Sequence, residues 1–179
     1  MVFLTKNVAF LNGIFKLLTM DKLILTTEIY VKQESELTAE ERTLVETAKK
    51  STFQSYAPYS GFHVGAALML DDGTIISGSN QENCAYPSGT CAERTAVFYA
   101  NSQYPEKAVK SLCIAARDTS GEFTENPIPP CGSCRQVLLE TEKRSGKPMK
   151  ILMYGTSYLY VIESANLLLP LQFDKEIIK

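Results

Sequence analysis

The sequence is short of several things, and each shortage closes off a class of function. Its 179 residues include no tryptophan and a single histidine, His63, so a metal site built on several imidazoles cannot be made from this chain. No charge of one sign dominates. Eighteen basic residues against 20 acidic ones leave a formal net charge of -2. With the two signs mixed along the chain, no basic stripe is available to neutralise a phosphate backbone, and long nucleic acids are poor partners. Long apolar runs are missing as well, since Lys6, Asn7, Asn12, Lys16 and Lys22 interrupt the N-terminal stretch well below the ~20 residues that cross a bilayer. Residues 1–19 look at first like a signal peptide, but the apolar part is short and no A-x-A-like cleavage site follows. Met20 then opens MDKLIL, so the expectation is an upstream extension over 1–19 without a role in function, and one working domain over 20–179. No internal repeat or low-complexity tract is present. A membrane role is disfavoured and a cytoplasmic location is expected.

What is present reads as one folded domain: 45% hydrophobic and 21% charged residues are ordinary for a globular chain of this length. The five cysteines, at 84, 91, 113, 131 and 134, are odd in number and lack a secretory context, which favours metal binding or catalysis over a disulfide framework.

Secondary structure follows from local signals. Leu23 to Val31 is apolar and β-branched and predicts a strand. Thr38-Ala39-Glu40-Glu41 matches a capping box, followed by Leu44, Val45, Ala48 and Phe53 at helical spacing, and predicts a helix over about 39–55. Ala57 to Gly61 breaks it. Phe62 to Leu70 and Thr74 to Ser79 flank Asp72-Gly73, a hairpin signal. A helix starts near Cys91 and runs to about Ala100, Ser111 to Arg117 reads as a buried strand, and a third helix runs from about Cys131 to Lys143. Ser145 to Pro148 stops it before a strand over Met149 to Tyr154, and Glu163 to Leu169 predicts a short helix. This alternation predicts an α/β layered domain whose opening hairpin makes the central sheet mixed.

Two short stretches carry chemistry: Cys91-Ala92-Glu93 and Pro130-Cys131-Gly132-Ser133-Cys134, each at the start of a predicted helix. Three thiolates fill three of the four tetrahedral positions around Zn²⁺ and leave one open for water, the layout of a catalytic site. Cys131 and Cys134 share a face of one helical turn, and Cys91 approaches from the other helix. Both helix N-termini favour thiolates. The net negative charge of such a site calls for donors to the sulfurs, for which Arg94, Arg135 and Gln136 are the candidates. Glu93, two residues from Cys91, is better placed as a base than as a ligand. It could take a proton from the metal-bound water, pass it to a ring nitrogen and later protonate a leaving amine.

These stretches have company: Ala57-Pro58-Tyr59-Ser60-Gly61-Phe62, Val64-Gly65-Ala66-Ala67-Leu68, Gly78-Ser79-Asn80-Gln81-Glu82-Asn83, Cys91 to Ala96, and Pro130 to Leu138. Together, over about 53–173, they resemble the small homotetrameric, zinc-dependent cytidine deaminases with three cysteine ligands. The resemblance implies a three-layer α/β fold with a mixed central sheet flanked by helices. It also implies one Zn²⁺ per subunit, and hydrolytic deamination of cytidine and deoxycytidine to the uridine nucleosides and ammonia in pyrimidine salvage. By the same resemblance Asn80 and Glu82 bind the ribose hydroxyls, Phe62 flanks the nucleoside, and the backbone of Ala92 and Cys91 meets the base and its amine. The segment Leu167 to Phe173 looks like the family's tail, which would place Phe173 in a neighbouring subunit's site. Tyr154 to Ala165 departs from the family's pattern, and the Gly121 to Pro129 loop is longer.

Other readings stay open from residues alone. The same fold could deaminate another aminopyrimidine nucleoside, such as a blasticidin-type antibiotic, or the metal could merely hold two helices together in a non-catalytic module. Nucleotide or polynucleotide deamination is less favoured, because the loops around Asn80 and Cys91 carry few basic residues. Cys131 and Cys134 by themselves could be a redox pair. Cys113 reads as core, Cys84 as loop, and His63 as a strand residue with no catalytic task.

Overall fold

The computed structural model describes residues 23–175 and 178 together with the backbone of residues 3–4. Apart from residues 3–4, the expected extension over 1–19 lies outside the described residues. Phe3–Leu4 (β1) pairs antiparallel with Leu23–Ile24 (β2), apart from the main sheet.

The first long element is α1, Ala39–Ser51, and its start is written in the capping box. Thr38 Oγ1 accepts from Glu41 N at 3.2 Å, and Glu41 Oε2 accepts from Thr38 N at 3.0 Å. Two otherwise orphaned N–H groups are thereby satisfied. A 3₁₀ turn, Thr52–Gln54, follows. Then come β4 (His63–Leu70), β5 (Ile75–Ser79), α2 (Ala92–Gln103), β6 (Val109–Arg117), α3 (Gly132–Ser145), β7 (Lys150–Tyr154), β8 (Leu159–Ile162) and a 3₁₀ turn at Ala165–Leu168. With Tyr30–Lys32 as β3, the six-stranded sheet has the order β3-β8-β7-β6-β4-β5. It is mixed: β6 and β7 pair in parallel, and the other neighbours are antiparallel.

The strands show why they are nearly continuous apolar runs. In β4, Ala66, Leu68 and Leu70 face a core shared with Ala92, Ala96, Val97 and Leu138 from α2 and α3. The alternate residues Ala67 and Met69 face Leu44, Val45 and Ala48 of α1. Both faces of the sheet are covered, so both side-chain sets are apolar. The result is three layers, with α1 on one side and α2 and α3 on the other. Helices press close to the sheet at two glycines. A Cβ at Gly65 would lie 2.2 Å from the carbonyl oxygen of Ala48, and one at Gly78 would lie 2.6 Å from the Ala96 nitrogen and 2.8 Å from the Ala92 oxygen.

Topology decides where the site forms. Because β4 is antiparallel to both β5 and β6, those two strands run the same way and end at one edge, where β4 begins. The loops after β5 and β6 lead into α2 and α3. Both helix N-termini and Phe62 therefore meet over that edge, the usual place for ligands in sheets of this kind.

One expectation needs correction, and one stretch without a predicted element acquires one. Leu23 to Val31 is not one strand: it divides into β2 and the start of β3, with residues 25–29 irregular between them. Tyr154 to Ala165 contains β8, which pairs with β7 through the turn that Gly155 N closes on Tyr158 O at 3.1 Å.

Candidate active site

Cys91 is the N-cap residue of α2 and Cys131 that of α3, with Cys134 on the first turn of α3. Their three sulfurs lie within 4.8 Å of one another, and Cys91 and Cys131 are 3.8 Å apart. It is the only such ligand group among the described residues. The donor set is all thiol, is placed at two helix N-termini and offers three ligands, which fits zinc with one coordination position left over. Arg94 supports the fit. Its Nη2 donates to Cys91 Sγ at 3.6 Å, and its Nε is buried without a partner among the described residues.

A hydrogen bond from Cys134 outweighs the cost of burial, and further bonds from Arg94 and Cys131 bring the Cys91 thiol down to about 5. Cys134, which gives that bond and is buried near the Glu93 carboxylate, is pushed up. A thiol binds metal as its thiolate, so metal binding at this cluster would release the Cys134 proton.

Glu93 is 5% exposed, and burial, with the Cys91 charge adding to it, raises its carboxyl above the ordinary value. A buried acid that binds its proton more tightly than usual, beside a cleft, suits proton transfer near neutral pH. The cleft has a volume of about 610 Å³ and is lined by Phe62, Asn80, Glu82, Cys91, Ala92, Glu93 and Cys131. These residues, drawn from positions 62 to 131 of the chain, are brought together around one cleft.

Asn80 and Glu82 sit beside the segment from Ser55 to Val64. The Asn80 Oδ1 accepts from Val64 N at 2.8 Å and from Ser55 Oγ at 2.5 Å, while its Nδ2 donates to the Phe62 carbonyl at 2.9 Å. Glu82 accepts from Tyr59 N at 2.9 Å and from Ser60 Oγ at 2.5 Å. The Ser60 hydroxyl, and then the Tyr59 N–H, hold its carboxyl below the ordinary value.

Other predicted residues lie elsewhere. Arg135 does not reach the sulfurs: its Nε donates to Pro130 O at 2.9 Å and its Nη1 to Leu168 O at 3.2 Å. Gln136 is also corrected, since its Nε2 donates to Phe173 O at 2.8 Å. Arg135 Nη1 and Gln136 instead donate to carbonyls of the C-terminal segment, which need partners. Phe173 itself is 61% exposed and is not among the residues lining the cleft. Cys113 is buried in the core, and burial pushes its thiol up. Cys84 is exposed in the loop.

Sequence reasoning missed Tyr59, Tyr86, Ile128 and Pro129, which also line the cleft. Tyr59 and Tyr86 meet edge to face with centroids 6.2 Å apart. The unexpected length of the 121–129 loop was the signal for Ile128 and Pro129. Nothing local marked Tyr86.

Residues 38–146 match the family model described as the cytidine and deoxycytidylate deaminase zinc-binding region. A cytidine deaminase of Sporosarcina psychrophila is 43% identical over 135 residues, 74% of this chain and 90% of that protein. Among solved structures, the cytidine deaminase of Burkholderia pseudomallei superposes with a TM-score of 0.65 at 35% identity, covering 76% of this chain and 100% of that one. The cytidine deaminase of Mycobacterium tuberculosis gives a TM-score of 0.56 at 31% identity, covering 74% and 96%.

Proposed function

Because the chain belongs to the cytidine deaminase family of zinc-dependent hydrolases, we infer that this site converts cytidine and water to uridine and ammonia, with deoxycytidine handled in the same way. The observation that carries this is the placement of a buried Glu93 beside a three-sulfur metal site at the floor of a nucleoside-sized cleft. Cys91, Cys131 and Cys134 would hold the Zn²⁺, which when bound supplies Lewis acidity that makes water a nucleophile at neutral pH.

The chain's own residues do the rest. Glu93 takes a proton from the attacking water and delivers it to N3 of the pyrimidine as the C4–O bond forms. It then carries the second proton to the exocyclic nitrogen, which leaves as ammonia when the C4–N bond breaks. Burial raises the carboxyl's affinity for the proton it carries. At the other end, the Asn80 amide has its oxygen already engaged twice and one N–H beyond the one given to Phe62. It can therefore only donate to a sugar hydroxyl. Glu82 can only accept from one, so an amide and a carboxylate together complement both capacities of a hydroxyl. Phe62 flanks the base, and the Ala92 and Cys91 backbone meets its polar edge.

Oligomerisation is part of the same proposal. Phe98 and Tyr99 on α2, and Leu171 and Phe173 at the tail, are more than half exposed, and apolar surface of this kind suits burial against further copies. A homotetramer that lends Phe173 to a neighbouring site accounts for that exposure. The working unit is the domain over 20–179, in a cytoplasm that keeps the thiols reduced, serving pyrimidine salvage.

The test mixes the zinc-loaded protein with cytidine and follows ultraviolet absorbance and ammonia release, beside a Glu93→Gln variant. The expected result is conversion by the wild type and a loss of about 10²–10⁴ in kcat for the variant with its zinc content unchanged. A zinc-loaded wild type that leaves cytidine untouched overturns the reading.

A further inference from the structure

Behind Asn80 stand two polar side chains that the reaction does not use. Ser55 Oγ lies 2.5 Å from Asn80 Oδ1, and His63 Nδ1 lies 3.1 Å from Ser55 Oγ. The direction of each bond can be worked out. Val64 N–H can only donate and the Phe62 carbonyl can only accept, so these two backbone groups fix which end of the Asn80 amide is oxygen. Oδ1 then needs the single Ser55 proton. With that proton committed, Ser55 Oγ can only accept from the ring, so His63 Nδ1 carries a hydrogen. The chain runs one way: His63 Nδ1–H to Ser55 Oγ, Ser55 O–H to Asn80 Oδ1, and Asn80 Nδ2–H outward.

We propose that Ser55 and His63 are positioning residues that hold the Asn80 amide in the orientation that donates to the substrate's sugar. This inference rests on the reading of Asn80 as a sugar contact. It also gives His63 a task that the sequence did not suggest. Two donors reach the amide oxygen, the Ser55 hydroxyl from the turn after α1 and the Val64 N–H near the start of β4, and the His63 ring on that strand holds the first of them in place. If Ser55 is lost, Oδ1 keeps only Val64 N–H, and the amide gains freedom to tilt away from the cleft.

The experiment compares Ser55→Ala, His63→Leu, His63→Asn and Asn80→Ala as zinc-loaded proteins of equal melting temperature. KM and kcat are read on cytidine, and the inhibition constant of 2′,3′-dideoxycytidine is read in competition with it. Loss of one hydrogen bond predicts that Ser55→Ala and His63→Leu raise KM for cytidine about 2–12-fold, with kcat held within about twofold. His63→Asn, whose side-chain nitrogen can occupy the Nδ1 position, restores KM. Neither Ser55→Ala nor His63→Leu changes the inhibition constant of the dideoxy compound, which lacks the 2′ and 3′ ring hydroxyls that the Asn80 amide would meet. A sugar-dependent cost for Asn80→Ala with none for Ser55→Ala and His63→Leu overturns the relay alone. An equal cost for Asn80→Ala on both compounds overturns the sugar reading, and the relay with it. Failure of His63→Asn to recover KM where His63→Leu loses it also overturns the relay.

Discussion

Arg94 touches the metal site without being one of its ligands. Its Nη2 reaches the Cys91 sulfur at 3.6 Å, a bond that would temper the charge of a three-thiolate metal site and orient the sulfur. Arg94→Ala should weaken zinc binding about 10–100-fold, measured by competition with a chromophoric chelator, while the secondary structure is retained. Cys134 makes a different prediction in the same assay. Since its proton must leave when metal enters, zinc affinity should rise with pH through the neutral range; a flat profile would contradict this. Glu41 tests electrostatics in the scaffold. Its side chain is 7% exposed and lies 3.3 Å from Lys150 and 3.7 Å from Lys32. Burial pushes its carboxyl up, but the Thr38 N–H and Lys150, with help from Lys32, more than reverse this and leave it lowered. A carboxyl lowered in the folded state adds stability above its unfolded value, 4.5, and that contribution disappears as pH falls through the folded value. Glu41→Gln should therefore melt earlier than wild type at neutral pH, and the gap should close in acid.

The elements are joined tightly enough that one methyl group can separate them. Gly78 on β5 lies against the first turns of α2, close to Ala92 O and Ala96 N. Gly78→Ala should cost about 1–3 kcal/mol through overpacking and, by moving the helix that carries Cys91 and Glu93, should lower zinc occupancy as well. Calorimetry and metal analysis of the same sample check both. Gly78 was legible only as a family residue, because its reason is the helix that crosses it. Helix starts were more legible. The Thr38 box announces α1 within four residues, and the Cys131–Cys134 spacing places two sulfurs on one turn. By contrast, Arg135 and Gln136 were misread because their partners are the carbonyls of Leu168 and Phe173, some 30 or more residues away and invisible to spacing. The strand β8 was also missed. Leu159 and Val161 enter the α1-side core and Ile162 the opposite one, and that division exists only once both helical layers are in place.

At the scale of the molecule, a zinc held by Cys91, Cys131 and Cys134 would tie α2 to α3, so removing it should loosen the layer that both helices form. Any ligand that binds the folded state alone stabilises it by RT ln(1 + [L]/Kd), about 4.1 kcal/mol at a thousandfold excess over Kd. Chelation should lower Tm, and zinc, added back, should restore it. Size-exclusion chromatography with light scattering should return four times the chain mass of 19.9 kDa, and a monomer at micromolar concentration would refute the shared-site arrangement. The sheet itself carries a consequence for biosynthesis. Strand β3 at Tyr30–Lys32 takes its hydrogen bonds from Leu159–Val161, about 130 residues later on the polypeptide, which a ribosome adding roughly 5–20 residues per second reaches only after about 6–26 seconds. Throughout that interval Tyr30, Val31 and Lys32 have no edge to join, and a message cut short before codon 159 would deliver a chain whose first strand of the six-stranded sheet never finds its mate.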